Sequence, residues 1–171
     1  MRSNKSRQAT RGFTLIELMV TIAVLVVLMA VGVPSMADFS ANNRVAAAKS
    51  GFASAVALAR TEAARRGVLV FIKAEAGGST GNEFSGGWSV VVDTNGSGLP
   101  DTGDEVMRKY PALQTDVKLA GTSPLGFAAT GYLDGGGTRD FLVCRTSGST
   151  SGFKVSVVPS GIADTMAYTG C

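Results

Sequence analysis

Histidine is absent from this chain of 171 residues. That removes the commonest general base and the commonest metal ligand. Serine and aspartate are plentiful, but without His the usual activation of a nucleophile is missing, and an enzyme is not expected. The glycine-rich stretches hold neither a Walker phosphate loop nor a dinucleotide glycine pattern, so they read as turns. Cysteine occurs only as Cys144 and Cys171, too few and too far apart for a zinc site. Outside the cytoplasm the two would pair, closing a loop of about 28 residues worth roughly 3 to 4 kcal/mol in the chain-entropy model. In a reducing compartment they would be two unrelated buried thiols. No solenoid-type repeat occurs.

Charge is missing in two revealing places. The first 12 residues carry Arg2, Lys5, Arg7 and Arg11 with no acid. They account for four of the 16 Lys and Arg residues, leaving 12 against all 13 acids in the remainder. The sequence pI near 9.1 therefore belongs to the leader and does not argue for nucleic acid. From Leu18 to Ala37 there is no charge at all. A helix of about 20 such residues spans roughly 30 Å, one bilayer core. Basic residues precede it, which places the leader on the cytoplasmic side. Glu17 stands at the edge of this apolar run, where an unpaired carboxylate is expensive. A secretory signal peptide has the same polarity but a cleavage site after the apolar run, where Val33-Pro34-Ser35-Met36-Ala37 offers only a weak one.

The informative junction is Gly12-Phe13. A basic leader, then Gly-Phe-Thr-Leu-Ile-Glu-Leu from Gly12 to Leu18, then a long apolar helix, resembles the class III signal of type IV pilins and pseudopilins. The resemblance implies that prepilin peptidase cuts between Gly12 and Phe13 and methylates the new Phe13 amine. Glu17 is then the fifth residue of the mature chain, the family's characteristic glutamate. In a stacked filament it can meet the N-terminal ammonium of a neighbour, and a paired buried charge costs far less than an unpaired one. Pro34 is expected to kink or loosen the helix.

The segment from Asp38 to Gly67 continues the helix. Val45, Ala48, Phe52, Ala55, Val56, Ala59 and Ala63 recur at three- and four-residue spacing, one apolar stripe facing a globular domain. Arg60, Arg65 and Arg66 fall largely off the stripe and read as a solvated face, and Gly67 as the C-cap. Strands are expected at 68–74, 86–93, 105–110, 117–120, 127–133, 140–144 and 153–158, with 86–93 and 105–110 joined as a hairpin. One long helix followed by short antiparallel strands gives an α+β fold.

Ala-Arg-Thr-Glu-Ala from Ala59 to Ala63, then the Gly-Trp strand at Gly87-Trp88 and the Asp/Asn/Gly turn after it, are similar to the subfamily of type II secretion pseudopilin H and the minor pilins FimT and FimU. With the signal, the match covers roughly residues 9–110. It implies a pilin-like fold, a long N-terminal helix packed on antiparallel β-sheet, and a structural role. The expected organisation is a cleaved leader over 1–12, a transmembrane assembly helix over 13–37, an amphipathic helix over 38–67 and a periplasmic β-rich domain over 68–171. In that compartment Cys144 and Cys171 form a disulfide. The implied partners are prepilin peptidase, other minor and major pilins or pseudopilins, and an inner-membrane assembly platform.

Two further patterns need weighing. Asp93, Asn95, Ser97, Asp101 and Asp104 occupy positions 1, 3, 5, 9 and 12 of a stretch with Gly98 at position 6, the spacing of an EF-hand-type calcium loop. Strands flank it, however, and the same residues build a β-turn. No cofactor is expected, with calcium the minority reading. FimT-like proteins that take up DNA carry a Gly-Arg-x-Arg element near the C-terminus. Here Ile162 and Asp164 follow Gly161, so the basic phosphate contacts are missing and DNA is not an expected partner.

Overall fold

The computed structural model describes residues 12–171. The expected leader therefore lies, apart from Gly12, outside the described residues. The chain divides into two compact units, Met1–Phe39 and Ser40–Cys171. The element order is α1 (Leu15–Arg66), β1 (Val70–Ala74), β2 (Trp88–Val92), β3 (Glu105–Tyr110), β4 (Val117–Ala120), β5 (Leu125–Phe127), β6 (Arg139–Arg145), β7 (Gly152–Val157) and β8 (Ala163–Tyr168).

Within the first unit, α1 is apolar all round. Its most apolar window has a mean hydropathy of 2.7 and no residue buried, and it is the one helix among the described residues long and apolar enough to cross a membrane. The helical path is not interrupted at Pro34.

In the second unit the expected stripe is the buried face of α1. Val45, Ala48, Phe52, Ala55, Val56, Ala59 and Ala63 are all buried. The helix ends as its sequence dictates: Gly67 takes φ 71° and its N–H donates to the Ala63 carbonyl at 2.9 Å. Only glycine adopts that conformation without strain.

The strands form two four-stranded antiparallel sheets, β3-β2-β1-β5 and β4-β6-β7-β8. β2 and β3 form the expected hairpin, with a bulge where Val90 and Val91 face Arg108 and Val106. The core lies between α1 and the sheets. At its centre Phe52 meets Phe141 at 4.5 Å and Phe84 at 5.3 Å between ring centroids, with Trp88 at 5.7 Å. Phe84 comes from the irregular segment between β1 and β2. That segment is laced to β4: the Phe84 N–H donates to the Leu119 carbonyl at 3.2 Å, and the Leu119 N–H donates to Asn82 Oδ1 at 2.9 Å. Glu83 accepts from the N–H groups of Gly81 at 2.8 Å and Gly121 at 3.0 Å.

Two strand expectations need correction. Residues 127–133 are not one strand. β5 ends at Phe127, and a turn in which the Gly131 N–H donates to the Ala128 carbonyl at 2.8 Å brings Leu133 back to bridge Phe127. β8 has no counterpart among the expected strands. Its burial is intermediate or exposed throughout, so the alternation that betrays a half-buried strand is absent.

Candidate assembly site

The start of α1 is built from four consecutive features. Gly12 and Phe13 are exposed and non-helical. Thr14 caps the helix: its Oγ1 accepts from the Glu17 N–H at 3.3 Å, and its carbonyl accepts from the Leu18 N–H at 3.2 Å. Glu17 is the acid in the first turn, where the helix dipole favours negative charge. Thr14 was not singled out from sequence, although Thr14-Leu15-Ile16-Glu17 is the capping-box spacing that could have found it. The cap fixes where the helix begins, about 1 kcal/mol of helix stability, and so fixes how far Glu17 stands from the Phe13 nitrogen. Past Glu17, the large apolar side chains Leu18, Ile22, Leu25, Met29, Val33 and Met36 are more than half exposed. Such a surface requires lipid or neighbouring apolar helices around it.

The cysteines are joined. Cys144 on β6 and Cys171 form a disulfide with Cα atoms 5.7 Å apart. The bridge passes over β7 at Gly152, which lies beside Cys144 in the β6–β7 register. A Cβ at Gly152 would stand 2.5 Å from Cys171 Sγ and 3.1 Å from Cys144 Sγ.

The five calcium-loop residues do come together, as a self-satisfied turn. Asp93 is buried, and its carboxylate accepts from the N–H groups of Gly96 at 2.7 Å, Ser97 at 3.1 Å and Gly98 at 2.9 Å. Asn95 donates to Asp101 at 2.9 Å, and Ser97 Oγ donates to the Leu99 carbonyl at 2.7 Å. Asp104 accepts from the N–H groups of Asp101 at 2.9 Å and Thr94 at 3.3 Å. The Asn95 amide, with the Gly103 N–H, holds the Asp101 carboxyl below its usual range. These oxygens point at protein donors, the geometry of Asx-turns. Among the described residues no group of three or more His, Cys, Asp or Glu is placed to hold a metal ion.

The helix-terminal basic residues are largely tied into ion pairs. Arg65 and Arg66 both reach Glu62, at 2.5 and 3.0 Å, and Arg66 also reaches Glu105 on β3 at 2.5 Å. On β7, Lys154 meets Asp140 of β6 at 3.1 Å. The Gly161-Ile162-Ala163-Asp164 stretch forms the turn into β8, with Ile162 and Asp164 exposed.

Comparisons agree with this architecture. Residues 7–33 match the prokaryotic N-terminal methylation motif. Residues 49–161 match the family described as type II transport protein GspH. Two crystal structures of the type IV minor pilin FimU from Pseudomonas aeruginosa share the fold. One, in space group P21, has a TM-score of 0.62 and 21% identity, covering 78% of this chain and 98% of that one. The other, in P65, has a TM-score of 0.54 and 22% identity, covering 77% and 98%. Comparison with curated proteins gives no match. With more than half its length matched, and the methylation motif ahead of that match, the chain belongs to the type II transport protein GspH family, among the type IV pilins and pseudopilins.

Proposed function

We propose that the chain is a minor pilin: a structural component of a type IV pilus, inserted in the inner membrane as a prepilin and drawn into the filament after processing. Prepilin peptidase removes residues 1–12, and the Phe13 amine is methylated. The globular domain lies in the periplasm, where its disulfide persists, and docks on other minor pilins at the tip or primes assembly. The role is structural, not catalytic. One observation carries the reading: the helix starts at Leu15, directly after the proposed cut, with Glu17 in its first turn and large apolar side chains exposed from Leu15 to Phe39. Glu17 has its partner only when a neighbour's freed ammonium reaches it, so the charge acts as a register mark during docking. The family match over residues 49–161 favours a second reading, the pseudopilin H role in type II secretion, built on the same helix. DNA reception is disfavoured by Ile162 and Asp164 at the turn into β8.

Glu17→Ala tests the reading. The variant should be processed normally yet be depleted about tenfold from sheared filaments, the effect of losing roughly 1.4 kcal/mol of docking energy. Wild-type incorporation would refute the pairing role. Normal-sized mature protein from a variant with a bulky residue at Gly12 would refute the assigned cut.

A further inference from the structure

Between α1 and the segment that follows β3 lies a cavity of about 240 Å³. α1 contributes Ala47, Ala48 and Gly51 to its walls, and the segment after β3 contributes Leu113. Trp88 and Tyr110, partners in the β2–β3 register, line it as well, with their rings stacked at 5.1 Å. Trp88 is the one tryptophan of the chain and is 2% exposed. Among the described residues the one charged group lining the cavity is Arg44, and Asp116 holds it at 2.7 Å.

Two buried polar atoms of these walls have no partner among the described residues: the Trp88 indole Nε1 and the Tyr110 hydroxyl. A buried donor left unpaired is costly, and native structures rarely keep one without a use. A Cβ at Gly51 would lie 3.5 Å from Trp88 Cζ2 and meet nothing closer. Cζ2 and Nε1 are bonded to the same ring carbon, so the edge of the indole that carries the N–H is the edge facing Gly51. A contact at that distance is ordinary packing, and alanine would fit. Glycine is costly inside a helix, yet neither crowding nor backbone conformation requires it here. What its missing Cβ does is leave space beside the donor edge of Trp88.

The chemistry of the walls selects the occupant. The volume is below the roughly 300 Å³ at which sites for drug-sized ligands begin, and suits one large side chain with its peptide group. Arg44 is already paired, so the occupant is neutral. A lipid chain would leave both donors unsatisfied, whereas a peptide carbonyl pairs them. We propose that the cavity receives a leucine- or phenylalanine-sized side chain of a different pilin, with backbone carbonyls of that segment as acceptors for Trp88 and Tyr110. The inference rests on the reading of the chain as a minor pilin, whose neighbours are other pilins, and it names the point at which one of them docks. A desolvated aromatic pocket filled by one anchor is where binding energy concentrates in an interface.

The test uses the 15N-labelled full-length chain in lipid nanodiscs, where the one tryptophan gives one indole N–H resonance. The probe is N-acetyl-leucine N-methylamide, and N-methylacetamide is the control without a side chain. The leucine amide should move the resonance downfield and saturate with a Kd of about 1 mM, as its size allows. Gly51→Ala should weaken that binding about tenfold without lowering Tm, since alanine suits a helix better than glycine. In cells, a benzophenone amino acid at Ala112, an exposed residue lining the cavity, should cross-link to a different chain that itself carries a class III signal, and Gly51→Ala should remove that product. An unmoved resonance, equal shifts from both amides, Gly51→Ala binding equal to wild type, or cross-links only to lipid or to copies of this chain would overturn the proposal. If these fail while Glu17→Ala is still depleted from filaments, the docking point is refuted and the minor pilin reading stands.

Discussion

Replacing Gly152 by alanine should break the covalent tie between the segment after β8 and β6, because the disulfide crosses β7 at this residue. The new Cβ would sit 2.5 Å from Cys171 Sγ and 3.1 Å from Cys144 Sγ, and closer still to the Val143 carbonyl. Real Cβ atoms are not found that near to backbone or a sulfur held on both sides, and neither sulfur can swing away while the bridge is closed. Either the bridge fails to form, or β7 lifts from β6 at the Cys144–Gly152 pair. Losing the bridge releases a loop with a sequence separation of 27, worth roughly 3 to 4 kcal/mol by chain entropy. For a domain of this size that lowers Tm by about 10 °C. The assay is thermal unfolding of the full chain in detergent by near-ultraviolet circular dichroism, with alkylation and mass spectrometry to count free thiols. A Cys144→Ser, Cys171→Ser double variant sets the scale. In that background Gly152→Ala should cost clearly less, since the two changes act on one contact and are not additive. A Gly152→Ala protein with no free thiol and a Tm within about 2 °C of wild type would refute the crossing.

The core, the segment before β2 and the ion pairs each give a further expectation. Phe52→Ala removes the ring shared by Phe84, Trp88 and Phe141 and should cost about 3 to 5 kcal/mol in denaturant unfolding. Glu83→Ala strips the acceptor from the part-buried Gly121 N–H and should cost about 1 to 3 kcal/mol; the same titration at neutral pH checks it. Acid should weaken the domain. Arg65 chiefly lowers the pKa of Glu62, Arg66 that of Glu105, and the Ser156 hydroxyl followed by Lys154 that of Asp140. Groups with depressed pKa contribute stability that is present above their unfolded values of about 4 and lost as pH falls through the folded ones. Tm should therefore be flat from about pH 7 to 5 and fall below about pH 4, and Glu105→Gln should make that fall shallower.

What sequence made legible follows from which signals are local. The apolar stripe from Val45 to Ala63 is written in helical spacing and is the buried face of α1. The Gly67 cap needs only its neighbour's carbonyl at Ala63. The turn after β2 is also local, and its Asp, Asn and Gly residues satisfy one another, so a calcium spacing and an Asx-turn network share one string of letters. Phe84 is different. It enters the core from irregular backbone, held by Leu119 and Gly121 far along the chain, and no periodicity marks such a residue.

β8 was hidden for a related reason. Ala163, Thr165 and Ala167 face β7 residues that are already covered, so burial asks nothing apolar of β8 and its sequence shows no alternation. It is a strand by its ladder with β7, flanked by a turn in which the Gly161 N–H donates to the Val158 carbonyl at 2.8 Å and by the disulfide after it. Both hold the segment beside β7 without covering its outer side. A strand paired on one side only, with no buried face of its own, keeps one row of backbone donors and acceptors open. The lack of a sequence signature and the open edge thus have one physical origin. Opening the disulfide should therefore loosen the C-terminal end of β8.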